Sequence, residues 1–345
     1  MAKWFERIDP AVPGAINSRV RLVRNCKEYV FPSRLSDKDS EIMVHRLEQG
    51  LRNVGEVDGK DYHYAYLREI KELDKKILRE RRILNSTIAA KKTPAGVFIS
   101  EDEESSIVLN GTDHFRIQLL SCGNHLEELW QQADRLDDYI NERFAYAYDQ
   151  KYGYLTSYPT NTGTGMRASV ILHLPTLSLG KRFQGMVMEM SRFGAVIKGV
   201  YGTGNENYGS LYQISNLKTL GTTEKEILDR VNKVSEQLLA QERQIRRMTM
   251  EKRGLECEDE AYKSYGVLKY ARRLAAKEAM IFLSQLMSGI NDGILKLKEP
   301  CSIYRLMLGI QPANLQKLSD HPLGKEELEV ARATYLRAEL PEMLE

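Results

Sequence analysis

The stretch from Tyr154 to Leu174, YLTSYPTNTGTGMRASVILHL, constrains the fold of this chain more than any other. Its first residues alternate in polarity, its centre holds Pro159, Thr160, Asn161, Gly163 and Gly165, and its end is a β-branched apolar run. It therefore reads as a strand, a tight loop and a second structured element. Glycines let backbone N–H groups come close to an anionic oxygen, and Arg167 adds a planar fork of donors, so the loop suits a phosphate. A plain turn beside one arginine produces the same string more often, and the stretch alone does not decide between them.

At 345 residues the chain exceeds the roughly 250 to 300 at which single cores stop growing, so two domains are expected. Charged residues make up 28%, but the formal net charge is only +2 and mean hydropathy is −0.45, a balance that implies neither disorder nor a nucleic-acid partner. No apolar run approaches the roughly 20 residues of a membrane span, and the opening MAKWFERIDPAVPG lacks the apolar core of a signal peptide. No membrane partner and a cytoplasmic location are expected. Cys26, Cys122, Cys257 and Cys301 are far apart with no CxxC pair, which fits reduced thiols and argues against a zinc site.

In NSRVRLVRN, Arg19 and Arg21 alternate with Val20 and Leu22, and on a strand this points both guanidinium groups to one face. Such a pair is a solvated face unless the rest of the chain calls for an anion site. Residues 38–52 and 67–82 read as packing helices, with Ile42, Leu47 and Leu51 on one face of the first and Leu73, Ile77 and Leu78 on one face of the second. GVFIS, SIVLN and HFRIQLL, broken by the acidic run Glu101 to Glu104, predict antiparallel strands joined by a hairpin. Residues 124–147 read as one helix, followed after the central stretch by a short helix near Leu177 to Leu179 and strands at Met186 to Met190 and Ala195 to Val200. A histidine such as His114 is more often a hydrogen-bonded structural residue than a catalyst.

NSRVR, then N-x-x-DH-x-R at Asn110 to Arg116, then PTNTGTGMRAS, then KGVYGxGxExxG from Lys198 to Gly209 with ISN at Ile214 to Asn216, occur in the order seen in ATP:guanidino phosphotransferases. Within that family the chain resembles the bacterial protein-arginine kinases, whose helical part also lies at the C-terminal end and whose tail is similar to IQPANLQKL, Ile310 to Leu318. The resemblance implies an α+β fold: a guanidino-kinase catalytic domain, residues 1–220, built on an antiparallel sheet flanked by helices, and a helical C-terminal domain, residues 221–345. It implies ATP and Mg²⁺ as cofactors. Arg19, Arg21, Arg116 and Arg167 match the family's phosphate-binding arginines, and Lys198 stands where the fifth would be. A nucleotide-contacting histidine of the bacterial enzymes falls on Arg82, and Ser18, Ala168, Ser169, Gly199 and Gly202 complete the implied nucleotide-binding set. Preorganised cations suit phosphoryl transfer, which spreads charge over the equatorial oxygens.

The guanidino end departs from the family. Its Asn-Glu-Glu-Asp-His motif reads Asn110, Gly111, Thr112, Asp113, His114 here, so the glutamate that orients and deprotonates the substrate is replaced by Thr112. A second carboxylate falls on Thr203, and the loop cysteine falls on Tyr158. An arginine nucleophile has a pKa above about 12, so without an acceptor its nitrogen lone pair is scarcely available. Two readings follow. One is a phosphotransferase acting on protein arginine with another carboxylate, such as Glu206 or one of Glu101 to Glu104; the other is a non-catalytic nucleotide binder working as a scaffold or regulator with a protein partner.

The C-terminal part opens with a capping box at Thr223 and Glu226, followed at helical spacing by Ile227, Val231, Val234 and Leu238. Further helices are expected at 258–288, 300–309 and 324–339. In the bacterial enzymes this domain is associated with homodimers, adaptor contacts and a phosphoarginine pocket built on Arg-Asp-x-x-Arg-Ala. Here that string reads Leu328, Glu329, Val330, Ala331, Arg332, Ala333, and only its last two residues match.

Overall fold

The computed structural model describes residues 1–202 and 206–344. They divide into two compact units that interleave along the chain: Met1–Trp4, Asn17–Ser169 and Ser215–Asn232 form the first, and Phe5–Ile16, Val170–Ile214 and Lys233–Glu345 the second.

The strands are β1 (Ala15–Arg24), β2 (Tyr62–Tyr66), β3 (Gly96–Ser100), β4 (Ser105–Leu109), β5 (Phe115–Cys122), β6 (Tyr148–Asp149), β7 (Gly153–Tyr154), β8 (Met166–His173), β9 (Ala195–Gly199) and β10 (Leu211–Asn216). Eight of them form one sheet in the order β2-β3-β4-β5-β1-β8-β10-β9, and β6 pairs with β7 apart from it. The pairs β2·β3, β3·β4, β4·β5 and β1·β5 are antiparallel. In β1 the period of two holds: Val20 and Leu22 are fully buried, while Arg19 and Arg21 share the other, half-buried face. The expected strands GVFIS, SIVLN and HFRIQLL are β3, β4 and β5, whereas β2, YHYAY, is a strand that was not expected.

Helices of the first unit are α1 (Asp37–Gly50), α2 (Gly55–Asp58), α3 (Glu72–Glu80), α4 (Ser86–Ala89) and α5 (Leu126–Arg143). The Ser36 hydroxyl accepts from the Asp39 N–H and starts α1, which buries Met43, Val44 and Leu47. Ile42, expected on that face, is exposed instead, because it lies one residue from Met43 and turns away from the packed stripe. In α5, Leu126, Leu129, Ala133, Leu136 and Ile140 are all buried, as the spacing predicts.

The second unit holds α6 (Phe183–Arg192), most of α7 (Glu224–Tyr270), then α8 (Ala276–Asn291), α9 (Ile303–Gly309), α10 (Pro312–Lys317) and α11 (Lys325–Glu339). The strand expected at Met186 to Met190 is the middle of α6: methionine is a good helix former and a short apolar run has no period that separates the two states. The capping box is present, with the Thr223 hydroxyl accepting from the Glu226 N–H at 3.2 Å and the Glu226 carboxylate accepting from the Thr223 N–H at 3.0 Å. The helix expected over 258–288 is instead the end of α7 and the start of α8. Between them Ala275 is extended and donates its N–H to the Glu278 carboxylate, starting a new helix.

Candidate functional site

Five arginines of the first unit act on one another. Arg19 and Arg21 come from β1 and Arg116 from β5, paired so that Arg19 lies opposite Leu120, Arg21 opposite Gln118 and Val23 opposite Arg116. Arg167 is the second residue of β8. Arg82 follows α3 in a left-handed conformation, φ 67°, where a side chain is disfavoured and outside restraint is needed. The Arg19 guanidinium is driven well below its ordinary pKa by burial first, then by Arg21, Arg82, Arg116 and Arg167. Burial and Arg21 lower Arg116 to about 9, and burial and Arg167 lower Arg21 to about 10, with Asp113 opposing. Burial also lowers Arg167.

Three of these cations donate to neutral partners. Arg116 donates to the Gln118 side-chain oxygen at 2.6 Å and the Ile83 carbonyl at 3.3 Å, Arg21 to the Asn161 side chain at 3.4 Å, and Arg167 to the Asn216 carbonyl at 3.0 Å. The Nε atoms of Arg19, Arg21 and Arg116 are buried without a hydrogen-bond partner. Like charges held together with one carboxylate, Asp113, acting on Arg21 are costly, and an anion that met the unpartnered Nε donors would recover part of that cost. The arrangement fits a chain of phosphates. Among the described residues no group of three or more His, Cys, Asp or Glu could hold a metal ion, so the cluster offers anion chemistry and no cation cage.

The loop that delivers Arg167 is held by its glycines in a way the sequence reading did not foresee. Gly163 has φ 109°, and a Cβ there would come within 2.2 Å of the Thr219 carbonyl; at Gly165, φ 62°, it would meet Arg24 at 2.5 Å. Close approach to the chain's own atoms already demands glycine at these two positions. Asn216 secures the same region: its amide accepts from the Ala168 N–H and donates to the Met166 and Lys218 carbonyls. Ser169 is buried, and the buried Ser18 hydroxyl accepts from the His125 N–H.

Beside the arginines, Thr112 and the Tyr158 segment come together. The Ser157 hydroxyl donates to the Thr112 carbonyl at 2.7 Å, and the Ser157 N–H donates to Asp113 at 2.7 Å. Asp113 also accepts from the Asn25 amide at 2.8 Å and the Thr112 hydroxyl at 3.3 Å, so it is a buried anchor of this corner. The Tyr158 side chain is exposed. Thr203 lies outside the described residues. His114 is structural: it accepts from the Cys26 N–H at 3.0 Å and lies 3.1 Å from the Val30 carbonyl, and burial lowers its pKa to about 4.

Of the carboxylates considered as substitutes, Glu101 is exposed and the others have partners. Asp102 and Glu104 bind Lys60, Glu103 binds Lys3 and Arg81, and Glu206, in the second unit, binds Lys277 and Tyr208. Lys198 and Gly199 are exposed on β9 of the second unit, and Gly202 has φ 118°. Arg332 is buried in α11, donating to the Ile310 carbonyl at 3.2 Å and the Leu274 carbonyl at 2.9 Å, while Glu329 binds Arg273.

Sequence reasoning missed Arg24, Gln118 and Asn161. Arg24 donates through Nε and Nη2 to Asp137 at 3.0 and 2.7 Å and through Nη1 to the Thr164 carbonyl at 3.0 Å, fixing the glycine loop from below. Its position, out of phase with Arg19 and Arg21, was the available signal for a buried role.

The family description "ATP:guanido phosphotransferase, C-terminal catalytic domain" matches residues 43–245, and "Protein-arginine kinase McsB C-terminal domain" matches residues 253–345. The protein-arginine kinase of Halothermothrix orenii is 36% identical over 341 residues, 99% of this chain and 97% of that protein. The protein-arginine kinase of Bacillus pumilus is 35% identical over 340 residues, 99% of this chain and 93% of the relative. Among solved structures, the duplicated taurocyamine kinase of Schistosoma mansoni with bound transition state analog components superimposes with a TM-score of 0.60 at 25% identity, over 69% of this chain and 34% of that one. Lombricine kinase, at 18% identity and a TM-score of 0.58 over 70% of this chain and 71% of that one, shares the fold. Full-length likeness and the two successive family matches make this chain a member of the protein-arginine kinase branch of the ATP:guanido phosphotransferase family.

Proposed function

We propose that this protein binds Mg-ATP or Mg-ADP through Arg19, Arg21, Arg82, Arg116 and Arg167, and that it phosphorylates protein arginine weakly or not at all, serving as a nucleotide-dependent scaffold or regulator of a protein partner. The observation that carries this reading is the contrast between the two ends of the site. The strongest charges acting on Arg19 are all arginines, whereas the family's guanidino-orienting position is Thr112, whose hydroxyl carries no negative charge. A threonine cannot take the proton of a guanidinium near neutral pH. Mg²⁺ would arrive on the phosphate oxygens of the nucleotide, and the chain's part is to supply the donors.

Catalysis through a substitute carboxylate is the weaker reading, because Asp102, Glu103, Glu104 and Glu206 are already engaged by lysines, arginine or tyrosine, which leaves the exposed Glu101 as the remaining candidate of that set. We further infer a functional division near residue 220 and a homodimer through the C-terminal helices. Leu255 and Tyr262, exposed seven residues apart on the part of α7 that follows its break at Arg253 (φ −136°), support the latter.

Calorimetry with Mg-ADP on the wild type and on Arg167→Ala tests the nucleotide site, since each charge-assisted contact is worth roughly 1.5 to 3 kcal/mol. No binding by the wild type at millimolar nucleotide refutes it. Incubation with Mg-ATP and an arginine-rich protein, with detection of N–P bonds under acid-free conditions, tests the loss of catalysis; turnover comparable to a protein-arginine kinase refutes that.

A further inference from the structure

Gln118 is buried on β5, two residues beyond Arg116 and on the same face of the strand, opposite Arg21 in β1 and Ser106 in β4. Its side-chain oxygen accepts from Arg116 Nη2 at 2.6 Å, and its side-chain nitrogen donates to the Arg82 carbonyl at 2.8 Å. Arg116 Nη1 reaches the next carbonyl, that of Ile83, at 3.3 Å. The three bonds close a ring that joins strand β5 to the turn after α3. That turn contains the left-handed Arg82, whose conformation has to be imposed from outside.

A primary amide suits this place for a chemical reason. It offers an acceptor and a donor at one end with no charge, whereas a carboxylate would lack the donor and a lysine the acceptor. The charge matters, because a carboxylate among these arginines would occupy the donors that an anion needs.

We propose that Gln118 is a positioning residue of the nucleotide site, locking the Arg116 fork and the Arg82 turn at one spacing so that both cations meet the phosphates together. The proposal rests on the nucleotide reading above. It makes Arg82 and Arg116 act as a pair, and Arg167, held separately by the Asn216 carbonyl, act alone.

The test is a double-mutant cycle read by Mg-ADP calorimetry on the full chain. Gln118→Met, close in volume but with no donor and only a weak sulfur acceptor, is combined with Arg82→Ala and with Arg167→Ala. We expect Gln118→Met to weaken Mg-ADP by about tenfold, Arg82→Ala to cost about tenfold in the wild type but less than about twofold in the Gln118→Met background, and Arg167→Ala to cost the same in both. A purely structural glutamine would lower the urea midpoint and leave the two arginine effects additive. Gln118→Asn keeps the amide but is one methylene too short to reach both partners; it replaces the methionine variant if that one does not fold, and the same pattern is expected. Equal costs of Arg82→Ala in both backgrounds overturn the role of Gln118 while leaving nucleotide binding standing. A wild type that binds no Mg-ADP overturns both.

Discussion

Replacing Asp137 by alanine should be among the most damaging single changes in the first unit. Arg24 and Asp137 form a buried ion pair, with side chains 1% and 8% exposed, in which the guanidinium gives two hydrogen bonds to one carboxylate oxygen. The remaining partners of Arg24 are the Val23 and Thr164 carbonyls and the rings of Tyr154 and Tyr146, whose centres lie 3.6 and 5.7 Å from the guanidinium carbon. Asp137→Ala leaves a cation out of water with dipoles alone to hold it, a situation that costs about 3 to 5 kcal/mol. Replacing both members, Arg24→Met with Asp137→Leu, removes the stranded charge and leaves mainly the Thr164 carbonyl short of a donor, a loss of about 1 to 3 kcal/mol. The double variant should therefore be more stable than Asp137→Ala. Urea unfolding followed by circular dichroism on wild type, both singles and the double variant gives the coupling directly. A loss below about 1 kcal/mol for Asp137→Ala, or strictly additive singles, would show that the pair does not behave as a buried unit. Since Thr164 lies on the loop leading to Arg167, Asp137→Ala should also weaken Mg-ADP.

Restoring the guanidino end with Thr112→Glu, Thr203→Glu and Tyr158→Cys together should raise N–P bond formation, by about 10² or more if positioning and deprotonation are what is missing; the single variants should do little, since such groups act as a unit. Equal rates for wild type and triple variant in the N–P assay would refute the missing-base argument. Free phosphoarginine should not bind the C-terminal helices at sub-millimolar concentration, because Arg332 is turned to two carbonyls and Leu328 offers no charge; calorimetry showing binding that Arg332→Ala abolishes would refute this. Burial holds His114 at about 4 and, aided by Arg246, His173 at about 3, against roughly 6.5 when unfolded. The unfolded chain gains those protons first as pH falls, so stability should be whole above about pH 6.5 and drop by up to about 1.4 kcal/mol per unit per histidine towards pH 4. The urea midpoint against pH reads this, and His114→Gln should flatten the slope.

Period and spacing located the elements whose one face is apolar. Arg19 and Arg21 were legible as a pair because β1 alternates, and α5 and the start of α7 because their leucines and valines recur at helical intervals. What escaped depends on partners remote in sequence. Nothing in LVRN announces that Arg24 meets an aspartate on α5, nor in RIQLL that Gln118 reaches a turn between α3 and α4. The glycines of TNTGTG looked like phosphate ligands, but their strict requirement comes from the Thr219 carbonyl and the Arg24 side chain, which only the folded chain brings near. The proposed loss of carboxylates at the guanidino end rests on the resemblance alone, since threonine at position 112 is unremarkable in itself.

The central place of β1 in the sheet also sets a problem of timing. Its partner β5 lies about a hundred residues further along, and the antiparallel register from Asn17 with Cys122 to Arg24 with Phe115 cannot begin until that length has been made. At roughly 5 to 20 residues per second of synthesis, β1 spends several seconds with both edges unsatisfied, while β2 to β5 zip together locally as a meander. During that interval an alternating apolar strand is an invitation to pair with another nascent copy. Arg19 and Arg21 answer it, since two like charges on one face make self-association of this strand repulsive. The same residues that later crowd together in the arginine cluster thus disfavour pairing of two such strands before the neighbour exists.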